Sequence, residues 1–495
     1  MKPYKTLLFI VSLFVGLALL SCLFPRNGMQ LGGVLWEFPT VASVLGEPPS
    51  EVEEEETVAA DTLSPEELLE QRLAALRATK DSTFLSDMAN NPARFYLPDD
   101  DVAYLDPLFE ALLKARQRPM RIMYFGDSQL ECDRITDVLR EQLQQEFGGS
   151  GAGLLPAVQT IGTTTAKVVT WPELRRHVGF GAEGTRNTRV GPLSQMAVVD
   201  GEATFTLSAT GGNSFPHCTS FRKVSVLMAG SGSLTVAQGD TVLEMTCPKD
   251  TGFAGLRIFS RTLPAGVSNA VVRATGKMDV FGIMLDGESG VSLDNIAMRG
   301  SSGTHFTSLE RSTFAPFFQS QQVALILLEY GGNSVPYLKG GKAISHYKQQ
   351  MKSQIAYLKS ISPGSRIIYV GPADMATGDG ENMYTYPQLP QVVDSLRDAA
   401  LESGVAFWDM YRAMGGRGSM VKWVNARPQL AGEDYIHFTP RGAKRMGHLL
   451  GEMIDFYYRY YRFRKGLDKE ELPEDTIPND KNQTSADTLA VALGR

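Results

Sequence analysis

The chain has 495 residues, 43% of them hydrophobic and 21% charged, with a net charge of −7. That length allows two or three domains with buried cores, and with no Lys/Arg block standing out, nucleic acid is not an expected partner. The four cysteines form no CxxC or Cys/His cluster, so no metal is expected, and no motif calls for a cofactor.

Residues 1–24 begin with Lys2 and Lys5 and continue as an apolar run from Thr6 to Phe24, long enough to span a bilayer. This predicts a secretory signal or a membrane anchor at residues 6–24. Leu19-Leu20-Ser21-Cys22 offers lipidation at Cys22 as an alternative, but bulky Leu20 and the apolar residues beyond Cys22 favour an uncleaved anchor. Either way, the remainder is expected to be extracytoplasmic, in a bacterial periplasm or at a cell surface. Residues 25–61, with Pro48-Pro49 and the acidic run Glu51 to Glu56, predict an extended tether.

Residues 62–160 open with Ser64-Pro65-Glu66-Glu67, a capping-box start. A second helix is expected around 105–117. The run Ile122–Phe125 then predicts a strand that stops at Gly126-Asp127-Ser128. Leu130, Ile135, Val138, Leu139 and Leu143 follow at helical spacing. Strand, turn and helix would expose Ser128 with helix N–H groups aimed at it; by itself the tripeptide reads equally well as a solvated turn. The Gly-rich stretch 148–153 follows a helix rather than a strand, which rejects a phosphate cradle.

Residues 161–280 alternate in short runs separated by turn residues, the pattern of an all-β sandwich inserted into an α/β domain. Its aromatics, Trp171, Phe205, Phe215, Phe221, Phe253 and Phe259, read mainly as core, with a sugar-stacking platform as the alternative. Cys218 and Cys247 read as buried thiols, or as a disulfide in an oxidising compartment. The α/β pattern is expected to resume at Val280–Leu285 and to occupy 281–464. Val323–Tyr330 and Arg366–Val370 predict strands buried on both faces, Val405–Trp408 a short last strand, and Thr439-Pro440 the start of a final helix. Residues 465–495 predict a disordered tail.

A serine nucleophile needs a base, a group that orients the base, and donors for an oxyanion. Among six histidines, His437 has the best context, because Asp434 lies three residues before it in a turn and can reach Nδ1. Asn333, in Gly331-Gly332-Asn333-Ser334 after the buried strand, falls at the carboxyl edge of the sheet, where ligands of open α/β sheets bind. The copy Gly211-Gly212-Asn213-Ser214 lies in the β segment and reads as a turn. Gly300, rather than Gly303, is the expected backbone donor from the remaining loop.

Gly-Asp-Ser, a loop Gly, Gly-x-Asn and Asp-x-x-His, in this order, resemble the GDSL/SGNH hydrolase family over roughly 115–160 and 280–460. The resemblance implies a flavodoxin-like three-layer α/β/α fold, Ser128 as nucleophile, and Asp434 and His437 completing a triad. Ser128 N–H, Gly300 N–H and the Asn333 side chain would form the oxyanion hole. Two positions depart from the pattern. Gln129 replaces the Leu of the family name, at an expected small cost, and Ser334 replaces an acid, so that the support of the Asn333 loop differs. With an inserted carbohydrate-binding-like β domain, the chain further resembles extracytoplasmic O-acetyl esterases and O-acetyltransferases of polysaccharides and peptidoglycan. The expected partners are an O-acetylated glycan or peptidoglycan substrate and a membrane, with esterase activity favoured over transfer. The competing readings are a non-catalytic glycan-binding surface protein, or a lipase or thioesterase on the same fold.

Overall fold

A computed structural model of the chain describes residues 29–31, 34–36, 64–181, 188–245, 255–379 and 381–468. The expectations for residues 1–24, Cys22, Cys247, Phe253 and the tail beyond residue 468 lie outside the described residues. The chain divides into two compact units, Met1–Ala75 and Leu76–Arg495. In the first, within the expected tether, β1 (Met29–Leu31) and β2 (Val34–Trp36) pair antiparallel. The capping box forms as its sequence predicts, Ser64 N–H donating to Glu67 Oε2 (2.7 Å) and Glu67 N–H to Ser64 Oγ (3.2 Å). It opens α1 (Pro65–Asn90).

In the second unit, β3 (Phe95–Tyr96), α2 (Asp106–Lys114), β4 (Met120–Gly126) and α3 (Thr136–Phe147) come first. Eight strands of one antiparallel sheet follow: β5 (Gly153–Leu155), β6 (Ala166–Trp171), β7 (Arg176–Val178), β8 (Gln195–Ala209), β9 (Phe221–Gln238), β10 (Thr241–Met245), β11 (Arg257–Val267) and β12 (Asn269–Asp286). Next are β13 (Val291–Ala297), α4 (Arg311–Ser320), β14 (Val323–Glu329), α5 (Gly341–Ile361), β15 (Arg366–Val370), a small β16–β17 hairpin (Ala376–Gly378 and Met383–Thr385), α6 (Leu389–Glu402) and β18 (Ala406–Trp408). The chain closes with α7 (Met410–Ala413), α8 (Ser419–Asn425) and α9 (Pro440–Arg464).

The central sheet has the order β13-β4-β14-β15-β18-β3. Its first five strands run parallel, and β3 adds an antiparallel edge. Alternation along β4 divides the core. Ile122 and Tyr124 join Phe109 of α2, Leu139 of α3 and Leu450 of α9 on one face. Met123 and Phe125 join Phe314 of α4, Ile355 of α5 and Leu396 of α6 on the other. Helices therefore cover both faces, which is why β4 and β14 read as unbroken apolar runs.

Two expectations change at residue level. Val280–Leu285 is not a strand of the parallel sheet but the end of β12, paired with β9 and β5. Its apolar run arises because Val280, Ile283 and Leu285 enter the antiparallel sheet's own core while Phe281 and Met284 enter the α/β core. The strand paired beside β4 is instead β13. Finally, the expected sandwich over 161–280 is one hydrogen-bonded sheet spanning Gly153–Asp286, and through Leu154, Leu227 and Phe281 its apolar residues are continuous with the core around α4 and α5. Of its aromatics, Phe205, Phe215 and Phe221 are buried, whereas Trp171 is 74% exposed.

Candidate active site

β13, β4 and β14 end level with one another, Ala297 and Glu329 both paired with Gly126. The segments that follow them converge at the carboxyl edge. A Cβ on Gly126 would stand 2.7 Å from the buried Leu130 side chain, so a larger residue at the turn into Asp127-Ser128 would have to push Leu130 aside. The chain after the turn departs from expectation. Ser128–Asp133 forms a kinked 3-10 stretch, with Cys132 at φ 61, and α3 begins only at Thr136. No α-helix N-terminus starts at Ser128. The stretch is capped instead by Asp127, whose Oδ1 accepts from Gln129 N–H at 3.0 Å.

Ser128 Oγ lies 2.7 Å from His437 Nε2, and His437 Nδ1 lies 2.7 Å from Asp434 Oδ2. Asp434 Oδ1 accepts from the backbone N–H groups of Ile436 and His437, both at 3.0 Å. Burial alone would raise the Asp434 carboxyl. The His437 backbone and ring N–H groups and the Ile436 N–H outweigh it and hold that carboxyl below its usual range. The loop is pinned across Tyr435, whose φ is 58, by Gly432 N–H donating to His437 O (2.7 Å) and Ala376 N–H to Tyr435 O (3.0 Å).

The sequence gives no hint of how the serine turn and the histidine loop are joined. Gln129 Nε2 donates to Ile436 O at 2.7 Å, and Gln129 Oε1 accepts from Phe438 N–H at 3.2 Å, so one buried amide grips the backbone on both sides of His437. Arg134 adds a second link, donating to Ser128 O (2.6 Å) and Phe438 O (3.0 Å). The position at which the family name has Leu is therefore a cross-brace.

Asn333 enters by its side chain. Its Nδ2 donates to Asp127 Oδ2 at 2.8 Å and to Ser301 O at 3.2 Å, which engages both amide hydrogens. Gly300, at φ 78, lines the same cleft as Ser128 and Asn333. Beneath them are two carboxyls that sequence reasoning missed. Burial pushes Asp127 up to about 6, against the pull of the Gln129 N–H, His437 and Asn333. Burial, together with the charge of Asp127, pushes Glu329 up to about 8, and its Oε2 accepts from Tyr124 O–H at 2.7 Å. An acid ending the apolar run VALILLEY was the available signal, because a charge there is buried on both faces.

The cleft over Ser128 has a volume of about 830 Å³ and is bordered by Gly300, Asn333, Tyr337 and His437. The other histidines do not join it. His305 is half-buried, and the loss of water around it pushes its ring down to about 4; its Nε2 lies 3.1 Å from Ser194 Oγ. His217 Nδ1 meets Glu141 Oε1 at 2.5 Å, and His448 Nδ1 meets Gln142 Nε2 at 3.0 Å. The copied motif at Gly212–Ser214 is a single 3-10 turn.

No protein-family model and no curated protein sequence matches the chain. Solved structures do. One titled as a peptidoglycan O-acetylesterase is 19% identical and covers 75% of this chain and 100% of its own, with a TM-score of 0.61. A carbohydrate acetylesterase from Sinorhizobium meliloti is 13% identical, covering 33% of this chain and 78% of its own at a TM-score of 0.24. A structure described as a GDSL-like lipase, from Parabacteroides merdae, is 16% identical, covering 34% of this chain and 74% of its own at a TM-score of 0.26. The first likeness carries the fold, and the other two add nothing to that assignment. With its parallel and antiparallel sheets and this likeness, the chain has an SGNH-like fold, similar to that of the peptidoglycan O-acetylesterase structure.

Proposed function

We propose that this protein is a serine esterase that removes O-acetyl groups from an extracytoplasmic polysaccharide or peptidoglycan through an acetyl-enzyme. The observation that carries the reading is the Ser128–His437–Asp434 hydrogen-bonded series opening onto the cleft. In the first step His437 Nε2 takes the Ser128 proton as Oγ attacks the acetyl carbonyl. The tetrahedral anion is held by Ser128 N–H, Gly300 N–H and Asn333 Nδ2. The sugar oxygen then leaves with the proton from His437, and water, deprotonated by His437, releases acetate. Asp434 keeps the ring oriented and stabilises its charged form. For Asn333 to serve, its longer bond to Ser301 O is exchanged for the oxyanion while the shorter one to Asp127 fixes the amide.

Water is the favoured acceptor over a second sugar because the His437 and Asp434 side chains are 35% and 49% exposed. Exposed Trp171 supports a carbohydrate-binding role for the antiparallel sheet, the inserted β domain of the resemblance. In the same reading the apolar run at 6–24, or a lipidated Cys22, holds the enzyme at the membrane.

The test is acetate release from 4-nitrophenyl acetate and from O-acetylated peptidoglycan, with and without a de-acetylated glycan acceptor, beside Ser128→Ala. Serine-dependent release that is fast without acceptor supports the esterase. Release that needs the acceptor and yields acetylated glycan replaces it with a transferase. Unchanged turnover by Ser128→Ala refutes both.

A further inference from the structure

A second cleft of about 540 Å³ adjoins the first, and Glu131, Cys132 and Arg299 line both. Arg299 donates to both carboxylate oxygens of Glu131, at 2.7 and 2.5 Å, which makes this pair the sill between the two spaces. One wall of the second cleft is the carboxyl end of β13, including Asn295. The other comes from the antiparallel sheet and the loops before β6 and after β7, with Gln195, Thr160 and Phe180 respectively.

The chemistry of this lining is that of a neutral, hydroxylated ligand with apolar faces. The acids and two of the arginines are already committed: Glu131 to Arg299, and Asp133 to Arg140 at 2.7 Å. Arg176 Nε holds Gln195 Oε1 at 2.6 Å, fixing that amide in the wall. Asn295 donates to Leu130 O and Asp133 Oδ1, which holds its amide in the wall. Phe180 and Val158 supply half-buried apolar surface on the same side. A ring of C–H faces and hydroxyl groups matches such a wall better than a phosphate or a fatty chain does.

We propose that the second cleft is a saccharide subsite. The acetylated sugar sits over Ser128, and its neighbours along the glycan pass the Glu131–Arg299 sill to lie between the two sheets. This rests on the esterase reading above and deepens it, because it makes a polymer, rather than a free acetylated sugar, the preferred substrate.

The experiment compares kcat/KM on 4-nitrophenyl acetate, which needs only the first cleft, with that on O-acetylated peptidoglycan glycan of two and of four sugars. Wild type is expected to favour the tetrasaccharide over the disaccharide by about tenfold, the equivalent of one good contact. Thr160→Trp, which fills the cleft from an exposed position, and Gln195→Ala should both bring that ratio to about one, with melting curves to check that each variant is folded. Equal wild-type rates on the two lengths, no turnover of either glycan, or a tenfold preference that survives both substitutions would overturn the proposal. Absence of Ser128-dependent hydrolysis of 4-nitrophenyl acetate would instead remove the esterase reading, and this proposal with it.

Discussion

Gln129→Leu restores the residue of the family name and should damage this protein. Gln129 is buried, 9% exposed, and its side chain makes two hydrogen bonds, to Ile436 O and from Phe438 N–H. Leu fills the space but leaves that carbonyl and that N–H without their partner. Each bond is worth about 1 kcal/mol net, so the variant should lose about 2 kcal/mol of stability. If the same energy holds His437 against Ser128, its loss corresponds to a fall of about 30-fold in kcat. Arg134, which still ties Ser128 O to Phe438 O, sets that figure as an upper bound.

The assay is steady-state hydrolysis of 4-nitrophenyl acetate across pH 5–9, beside urea unfolding. A bracing role predicts a lower kcat with KM within about twofold, because Gln129 grips backbone rather than the ester. It also predicts that Gln129→Leu combined with Arg134→Met costs more than the sum of the single changes, since each brace compensates for the other. A variant that loses stability but keeps wild-type kcat would refute the argument, because Gln129 would then be holding only the fold.

Asn333→Ala should lower kcat by about 10²–10³, the usual cost of one oxyanion donor, and a fall under tenfold in steady-state kinetics would leave Asn333 an orienting residue only. Glu329→Gln should change how stability depends on pH. Burial pushes the Glu329 carboxyl up to about 8, well above the ordinary carboxylate range, so the native state holds an extra proton between that range and about 8, and stability falls as pH rises through it. The variant should therefore gain on the parent as pH rises from 5 to 8 in urea unfolding, and a constant difference would contradict the buried acid. Arg121→Met should cost about 3–5 kcal/mol by the same method, because it strands Asp286 and Asp294, each 2.5 Å from the guanidinium. A loss under about 1 kcal/mol would show that those acids do not need it.

The strands of the central sheet were legible where burial is apolar and two-sided, as in Val323–Glu329 and Arg366–Val370. The same rule misplaced Val280–Leu285, which is also buried on both faces but between two cores rather than two helical layers. It missed β13 for the opposite reason. VSLDNIA carries Ser292, Asp294 and Asn295, which break the apolar pattern, yet Ser292 pairs with Asp286 and Asp294 with Arg121. Buried polar groups that are satisfied by residues 6 and 173 positions away leave no local trace.

The site divides along the same line. Ser128, His437, Asp434, Asn333 and Gly300 could be proposed from the sequence because each occupies a short motif at a strand end or in a turn, and the structure brings all five to one cleft. What aligns them was not legible, because it acts between motifs. Ser334, in place of an acid, suggested that the Asn333 loop is held differently, and the holding groups are Asp127, inside the serine motif itself, and the carbonyl of Ser301. The carboxylate form of Asp127 is the better acceptor for Asn333, yet burial resists that form up to about pH 6, and Glu329 beside it resists further charge. The two buried acids thus weaken the folded state at neutral pH, and one of them, Asp127, fixes the Asn333 amide. If Asn333 supplies the oxyanion donor as proposed, kcat should fall as Asp127 takes up its proton on the acid side of about pH 6, and a kcat that is flat through that range would refute the link.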